Sequence, residues 1–191
     1  IPPLEEKKMK ELSLNILDIV ENSVKAGASL TEITIAENEE TLTLSVKDNG
    51  CGMTEEQVKK LGNPFFTTRT TRKVGLGIPF LTMLAEMTGG GVQVTSVHES
   101  VSKDHGTTTC ATFGKNHIDF IPLGDMVETV KTLIQGSPDI DFDYTHKTEQ
   151  GEVTLSTRDL REVLGEVEVD PATGEVYLGT GSPQGSFFED F

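Results

Sequence analysis

The sequence is poor in cysteine, poor in basic residues and without any long apolar run, and each shortage argues against a class of protein. Its two cysteines, Cys51 and Cys110, lie far apart and form no metal-ligand spacing. They read as free thiols of a reducing cytoplasm, not as a disulfide framework or a zinc site. With 16 Lys and Arg against 31 Asp and Glu, the net charge is −15. That balance argues against general affinity for DNA, RNA or anionic lipid, since such binding is driven by Lys and Arg. No apolar stretch approaches a membrane span, and the amino end, which begins at Ile1, carries no signal-peptide pattern.

What is present is an ordinary globular composition, 35% hydrophobic and 25% charged over 191 residues. That length supports one substantial core with an appendage and is short for two full domains. The few basic residues are unevenly spread. Lys59, Lys60, Arg69, Arg72 and Lys73 fall in one interval opposed only by Glu55 and Glu56. Alone, such a run reads equally as a solvated face or an anion site.

In "ILDIVENSVKAG", residues 16 to 27, Ile16, Ile19, Val20 and Val24 recur at helical spacing, which predicts a long amphipathic helix over 5–26 that stops near Gly27. On the same turns Asp18, Asn22 and Lys25 form a polar row. Alternation predicts strands over 31–37 and 42–48, joined by a turn at Asn38 to Glu40. Thr54, with Glu55 to Gln57 behind it, predicts an N-cap and a short helix to about Leu61. Residues 62 to 75, bracketed by Gly62 and Gly75, read as a mobile loop. A third helix is expected from Leu76 to Met87, with Pro79 in its first turn, then strands over 92–98 and 107–113. This order makes a two-layer α+β sandwich, a sheet covered on one face by helices.

Beyond Gly114 the pattern restarts, with helices over 124–135 and 157–164 and strands over 139–147 and 151–156. These form either a small appended unit or strands added to the edge of the first sheet. The expected division is 1–116, then a small αββα extension over 117–167, then a poorly ordered tail over 168–191 that is dense in Gly, Pro and Ser. Phe187, Phe188 and Phe191 in that tail are candidates to dock on a partner.

Three glycine- or threonine-marked segments carry the chemistry. "DNGCGM", residues 48 to 53, follows a strand: its glycines let the backbone approach a flat ligand, and its carboxylate can accept from an exocyclic amine. "VGLGI", 74 to 78, opens a helix, where backbone N–H groups and the positive end of the dipole suit phosphate. "GTTTCATF" lies in a late strand. Each is weak alone: the first is an ordinary turn, the second an ordinary loop, Asn22 a core bridge and Lys25 a snorkelling surface residue. In this order, with D-x-x-x-N-x-x-K before them and "NPFFTTR" between, they point to one ligand.

In that order the sequence resembles the GHKL superfamily of gyrases, heat-shock chaperones, histidine kinases and mismatch-repair ATPases. The likeness spans about residues 11 to 114 and is nearest in look to sensor histidine kinase catalytic domains and anti-sigma switch kinases. It implies a Bergerat-type fold with a mixed, largely antiparallel sheet, and it implies ATP and Mg²⁺ as ligands. Asn22 would then hold Mg²⁺ through its amide oxygen, and Lys25 would sit beside the phosphates. Asp48 would receive the adenine amine, with Gly50, Gly52 and Met53 as pocket wall and Thr107 in support. Phe66, Thr67, Thr68, Arg69, Arg72, Lys73, Gly75, Leu76 and Gly77 would surround the phosphate chain. Asp18 occupies the place of a general base, where family members that hydrolyse ATP or phosphorylate serine usually carry glutamate. Its shorter arm puts that role in question, and Glu21, about 100° around the helix from Asn22, reads as structural or exposed. The four histidines all follow the phosphate boxes, so a phosphoacceptor is expected on a partner protein. A slowly hydrolysing switch is the alternative, and a homodimer is left open.

Overall fold

The computed structural model describes residues 11–61, 77–164, 167–169 and 176–178. Helix α1, Leu12–Lys25, buries Leu12, Ile16, Ile19 and Val20, the stripe set by their spacing. Its start corrects the expected range: Glu11 is extended, with φ −145° and ψ 130°, and gives no side-chain cap. Tertiary structure supplies the cap instead. The N–H groups of Leu12 and Ser13 donate to the carbonyls of Pro122 and Leu123 at 3.0 and 2.7 Å. Orphan N–H groups of a helix start are thus satisfied by a segment more than a hundred residues downstream.

Strands β1, Leu30–Glu37, and β2, Thr41–Asp48, alternate as expected and form an antiparallel pair. Thr31, Ile33 and Ile35 face the helices alongside Leu42, Leu44 and Val46. The Asn38 side-chain oxygen closes their turn by accepting from the N–H groups of Glu40 and Thr41. In α2, Glu55–Leu61, Thr54 and Gln57 exchange the reciprocal bonds of a capping box. Helix α3, Gly77–Met87, buries Ile78, Leu81, Leu84 and Ala85. Strands β3, Gly91–Val97, and β4, Gly106–Gly114, complete the first part of the sheet.

The later elements are α4, Met126–Gly136, β5, Asp141–Thr148, β6, Gly151–Ser156, and α5, Thr157–Leu164. Of the two placements left open by the sequence, the strands extend the first sheet. The order is β3-β4-β2-β1-β5-β6, with β5 parallel to β1 and every other neighbouring pair antiparallel. Met126, Val130, Leu133 and Phe142 join the same core as α1. Two strands absent from the expectation, β7, Val167–Val169, and β8, Val176–Leu178, pair antiparallel within the stretch read as a tail. The run "DPATG" between them is a turn signal that the local density of Gly and Pro obscured.

At the far end of β1, Glu37 bridges Lys115 and His146, each at 2.8 Å, and ties β5 to the older part of the sheet. The Lys115 ammonium holds the Glu37 carboxyl below its usual range, with His146 assisting and burial opposing. Burial, with the charge of Glu37 second, pushes the Tyr144 phenol up to about 12.

Candidate functional site

Asp48 ends β2 on the face that buries Val46 and Leu44, so its carboxylate turns toward the helix layer. Three donors fix it there. Ser23 Oγ donates to Oδ2 at 2.8 Å, and the N–H groups of Gly50 and Thr107 donate to Oδ1 at 2.9 and 3.2 Å. A carboxylate oxygen has two acceptor positions, so Oδ2 keeps one for an outside donor. The register places Thr107 directly opposite Asp48.

The Thr107 hydroxyl is 2.8 Å from Ser96 Oγ, which donates to the Gly106 carbonyl and accepts from the Met53 N–H. Because the Ser96 proton is committed to that carbonyl, Thr107 is the donor to Ser96. This chain pins the 48–53 loop to the β3–β4 pair. Gly52 shows why the loop needs glycine: its φ is +69°, and a Cβ there would lie 1.9 Å from the Val97 carbonyl oxygen.

The C-terminal end of α1 packs against this loop, where the Cys51 N–H donates to the Ala26 carbonyl at 2.9 Å. Asn22 is half-buried, and its Nδ2 is buried with no hydrogen-bond partner among the described residues. Such an amide is costly unless a group beyond the described residues engages it. A half-turn of the amide exchanges its oxygen and nitrogen, so the same position serves equally as an oxygen ligand. Asp18, one turn earlier, is half-buried and flanks the start of α3: a Cβ on Gly77 would sit 3.3 Å from the Asp18 Cβ. Lys25 is exposed and pairs with Glu21 at 3.3 Å, so its ammonium rests on the surface carboxylate that the sequence read as exposed.

The structure therefore joins Asp48, Gly50 and Thr107 by direct hydrogen bonds, links Met53 to Thr107 through Ser96, and sets Asp18 beside Gly77, with Asn22 one turn further along α1 next to Ser23. Phe66, Thr67, Thr68, Arg69, Arg72, Lys73, Gly75 and Leu76 lie outside the described residues. Sequence reasoning missed Ser23 and Ser96. Ser23 carried a signal, since a polar residue on the buried stripe of α1 requires a partner. Ser96 carried none short of knowing the strand register. Among the described residues no group of three or more His, Cys, Asp or Glu is arranged to hold a metal.

The family model described as "Histidine kinase-, DNA gyrase B-, and HSP90-like ATPase" matches residues 8–117, and the chain belongs to that family of ATP-binding domains. Sporulation kinase E of Bacillus subtilis (strain 168) is 34% identical over 98 residues, which is 50% of this chain and 13% of that protein. The chain thus spans a small part of that relative's length. The structure of the N-terminal domain of a DNA repair protein superposes with a TM-score of 0.51 at 17% identity, over 76% of this chain and 52% of that one. The ATP-binding domain of topoisomerase IV from Francisella tularensis, solved with a small-molecule inhibitor, gives 0.50 at 16% identity, over 76% and 86%. At such identities the likeness is one of fold, the two-layer sandwich with its mostly antiparallel sheet. No helix among the described residues is long and apolar enough to cross a membrane.

Proposed function

We propose that this chain binds Mg-ATP in the space between α1, α3 and the 48–53 loop and passes the terminal phosphate to a partner protein in a regulatory role in the cytoplasm. The observation that carries the reading is the Asp48 carboxylate, fixed by Ser23, Gly50 and Thr107, beneath a helix whose Asn22 amide has a buried nitrogen with no hydrogen-bond partner among the described residues. Asp48 Oδ2 would accept from the adenine amine. Asn22 would contribute one oxygen to Mg²⁺, which neutralises charge on the phosphates.

Asp18, beside Gly77 at the head of α3, would take the proton of an acceptor hydroxyl as that oxygen bonds to the γ-phosphorus and the bond to the bridging oxygen breaks, releasing ADP. Residues 1–116 would do this work, and 117–167 would present the result to the partner. The short arm of Asp18 supports a second reading, a slowly hydrolysing switch in which nucleotide alters affinity for the partner.

Purified protein with labelled Mg-ATP, followed for phosphate release and protein labelling against Asn22→Ala and Asp18→Ala, separates the readings. Label on a partner that both substitutions abolish supports transfer. Transfer that survives Asp18→Ala refutes the base assignment. Equal partner affinity with and without ATP removes the switch.

A further inference from the structure

A cavity of about 700 Å³ opens behind the 48–53 loop; Asp48 and Asn49 line it, and Asn22, Met53 and Gly77 do not. It sits at the same end of the sheet on the face away from the helices, where Glu32 and Lys47 alternate with the buried Ile33 and Val46. The 98–105 connection between β3 and β4 contributes Lys103, Asp104 and His105 to its wall, and Leu30 and Val97 contribute apolar surface. The volume lies in the range of ligand sites, roughly 300–1,000 Å³.

The lining's unused hydrogen-bonding capacity is mainly acceptor. Lys47 is committed to Glu32 Oε2 at 2.7 Å, leaving the other oxygen of Glu32 available. The Asp104 carboxylate has no ion-pair or hydrogen-bond partner among the described residues. His105 Nδ1 is 2.5 Å from the Gly50 carbonyl, and a carbonyl only accepts, so Nδ1 carries a proton, and in its neutral form the ring offers Nε2 as an acceptor. Lys103 is the one lining cation without a carboxylate partner among the described residues. A chain of net charge −15 adds a long-range field that draws in a basic partner.

We propose that this cavity receives an arginine side chain from a basic segment of a partner protein. A planar guanidinium satisfies carboxylates and an imidazole acceptor through its fork of donors and stacks against apolar walls, which an ammonium does less well. Lys103 is left to donate to a backbone carbonyl of the arriving segment. Asp48 and Asn49 of the 48–53 loop line the cavity directly and His105 bonds to Gly50 of the same loop, so occupancy would change nucleotide affinity and nucleotide would change occupancy by the same factor. That coupling rests on the proposed nucleotide site; the arginine site itself does not.

Calorimetry on the whole chain tests it, with acetyl-Gly-Arg-Gly-amide as probe. Saturable binding at millimolar peptide or below is expected, about tenfold weaker for the lysine peptide and about tenfold weaker for Asp104→Asn combined with Glu32→Gln. Asp104→Asn alone, at an exposed loop position, keeps the test available should the double variant not fold. Binding retained in Asn22→Ala, which disables the nucleotide site, separates failure of one site from failure of the other. No heat with the peptide, or undiminished binding by the Asp104 variants, overturns the proposal. Equal binding of free L-arginine overturns the polypeptide partner.

Discussion

The Ser23 hydroxyl, buried on α1, donates to Asp48 Oδ2 at 2.8 Å across 25 residues of chain, so the helix carrying Asn22 and the strand carrying Asp48, the proposed purine acceptor, are joined by a side-chain bond. Hydrogen bonds to a charged group contribute on the order of 1.5–3 kcal/mol. Ser23→Ala is therefore expected to weaken nucleotide binding about tenfold, and Asp48→Asn to weaken it by more, since the acceptor itself changes. Titration with a fluorescent ATP analogue checks both; unchanged affinity in Asp48→Asn removes the purine assignment.

Asn22 behaves differently. Its buried nitrogen has no hydrogen-bond partner among the described residues, so Asn22→Ala removes no side-chain bond among them and the urea midpoint should stay where it is or rise. Nucleotide affinity measured with magnesium should fall to the value measured with EDTA. A large loss of stability would show that the amide is structural.

Gly52→Ala places a Cβ where the Val97 carbonyl stands and holds alanine at a φ of +69°. The strain alone costs about 1–3 kcal/mol, and the overlap forces the loop off β3. Chemical denaturation should show a loss of at least about 2 kcal/mol, together with loss of nucleotide binding.

The Glu37 cluster gives the fold a pH dependence at each extreme. Glu37 titrates below its usual value in the folded state because of Lys115, so its contribution is present above the ordinary carboxylate range and is lost as pH falls through the lowered value. Glu37→Gln should flatten that acid limb in unfolding measurements. Tyr144 is raised to about 12 by burial, so its contribution is complete below its ordinary value and is lost as pH rises through about 12. Phenolate absorbance in a Tyr177→Phe protein reads that midpoint directly. Because burial is the larger cause, Glu37→Gln should lower it only slightly.

Phe142 lies in β5 and is fully buried in the core that α1 and β1 share. Phe142→Ala should cost about 3–5 kcal/mol and preserve one cooperative transition. Two separate transitions would mean that residues beyond 117 fold as an independent unit.

Local pattern carried most of the elements into view. The alternation of Ile33 and Ile35 against Leu42, Leu44 and Val46, and the spacing of Ile16, Ile19 and Val20, state which face is buried without reference to anything distant. The glycine boxes were legible because a backbone held at positive φ and close against a neighbouring strand admits few residue types, as Gly52 beside the Val97 carbonyl shows. What escaped was non-local. Nothing near residue 141 announces that β5 will lie parallel to β1, and nothing near Leu12 announces that carbonyls at 122 and 123 will cap its helix. Ser23 was hidden because its partner is a strand end that only the folded register brings beneath it.

The parallel seam between β1 and β5 also orders events on the ribosome. From the time β1 and β2 have zipped together until Asp141–Thr148 has left the exit tunnel, the outer edge of β1 has no strand to pair with, and its backbone amides and carbonyls are open to any extended chain nearby. Nascent copies on one message are thus most prone to stick to each other during the synthesis of roughly a hundred residues, and a slow stretch of translation in that window would lengthen the exposure.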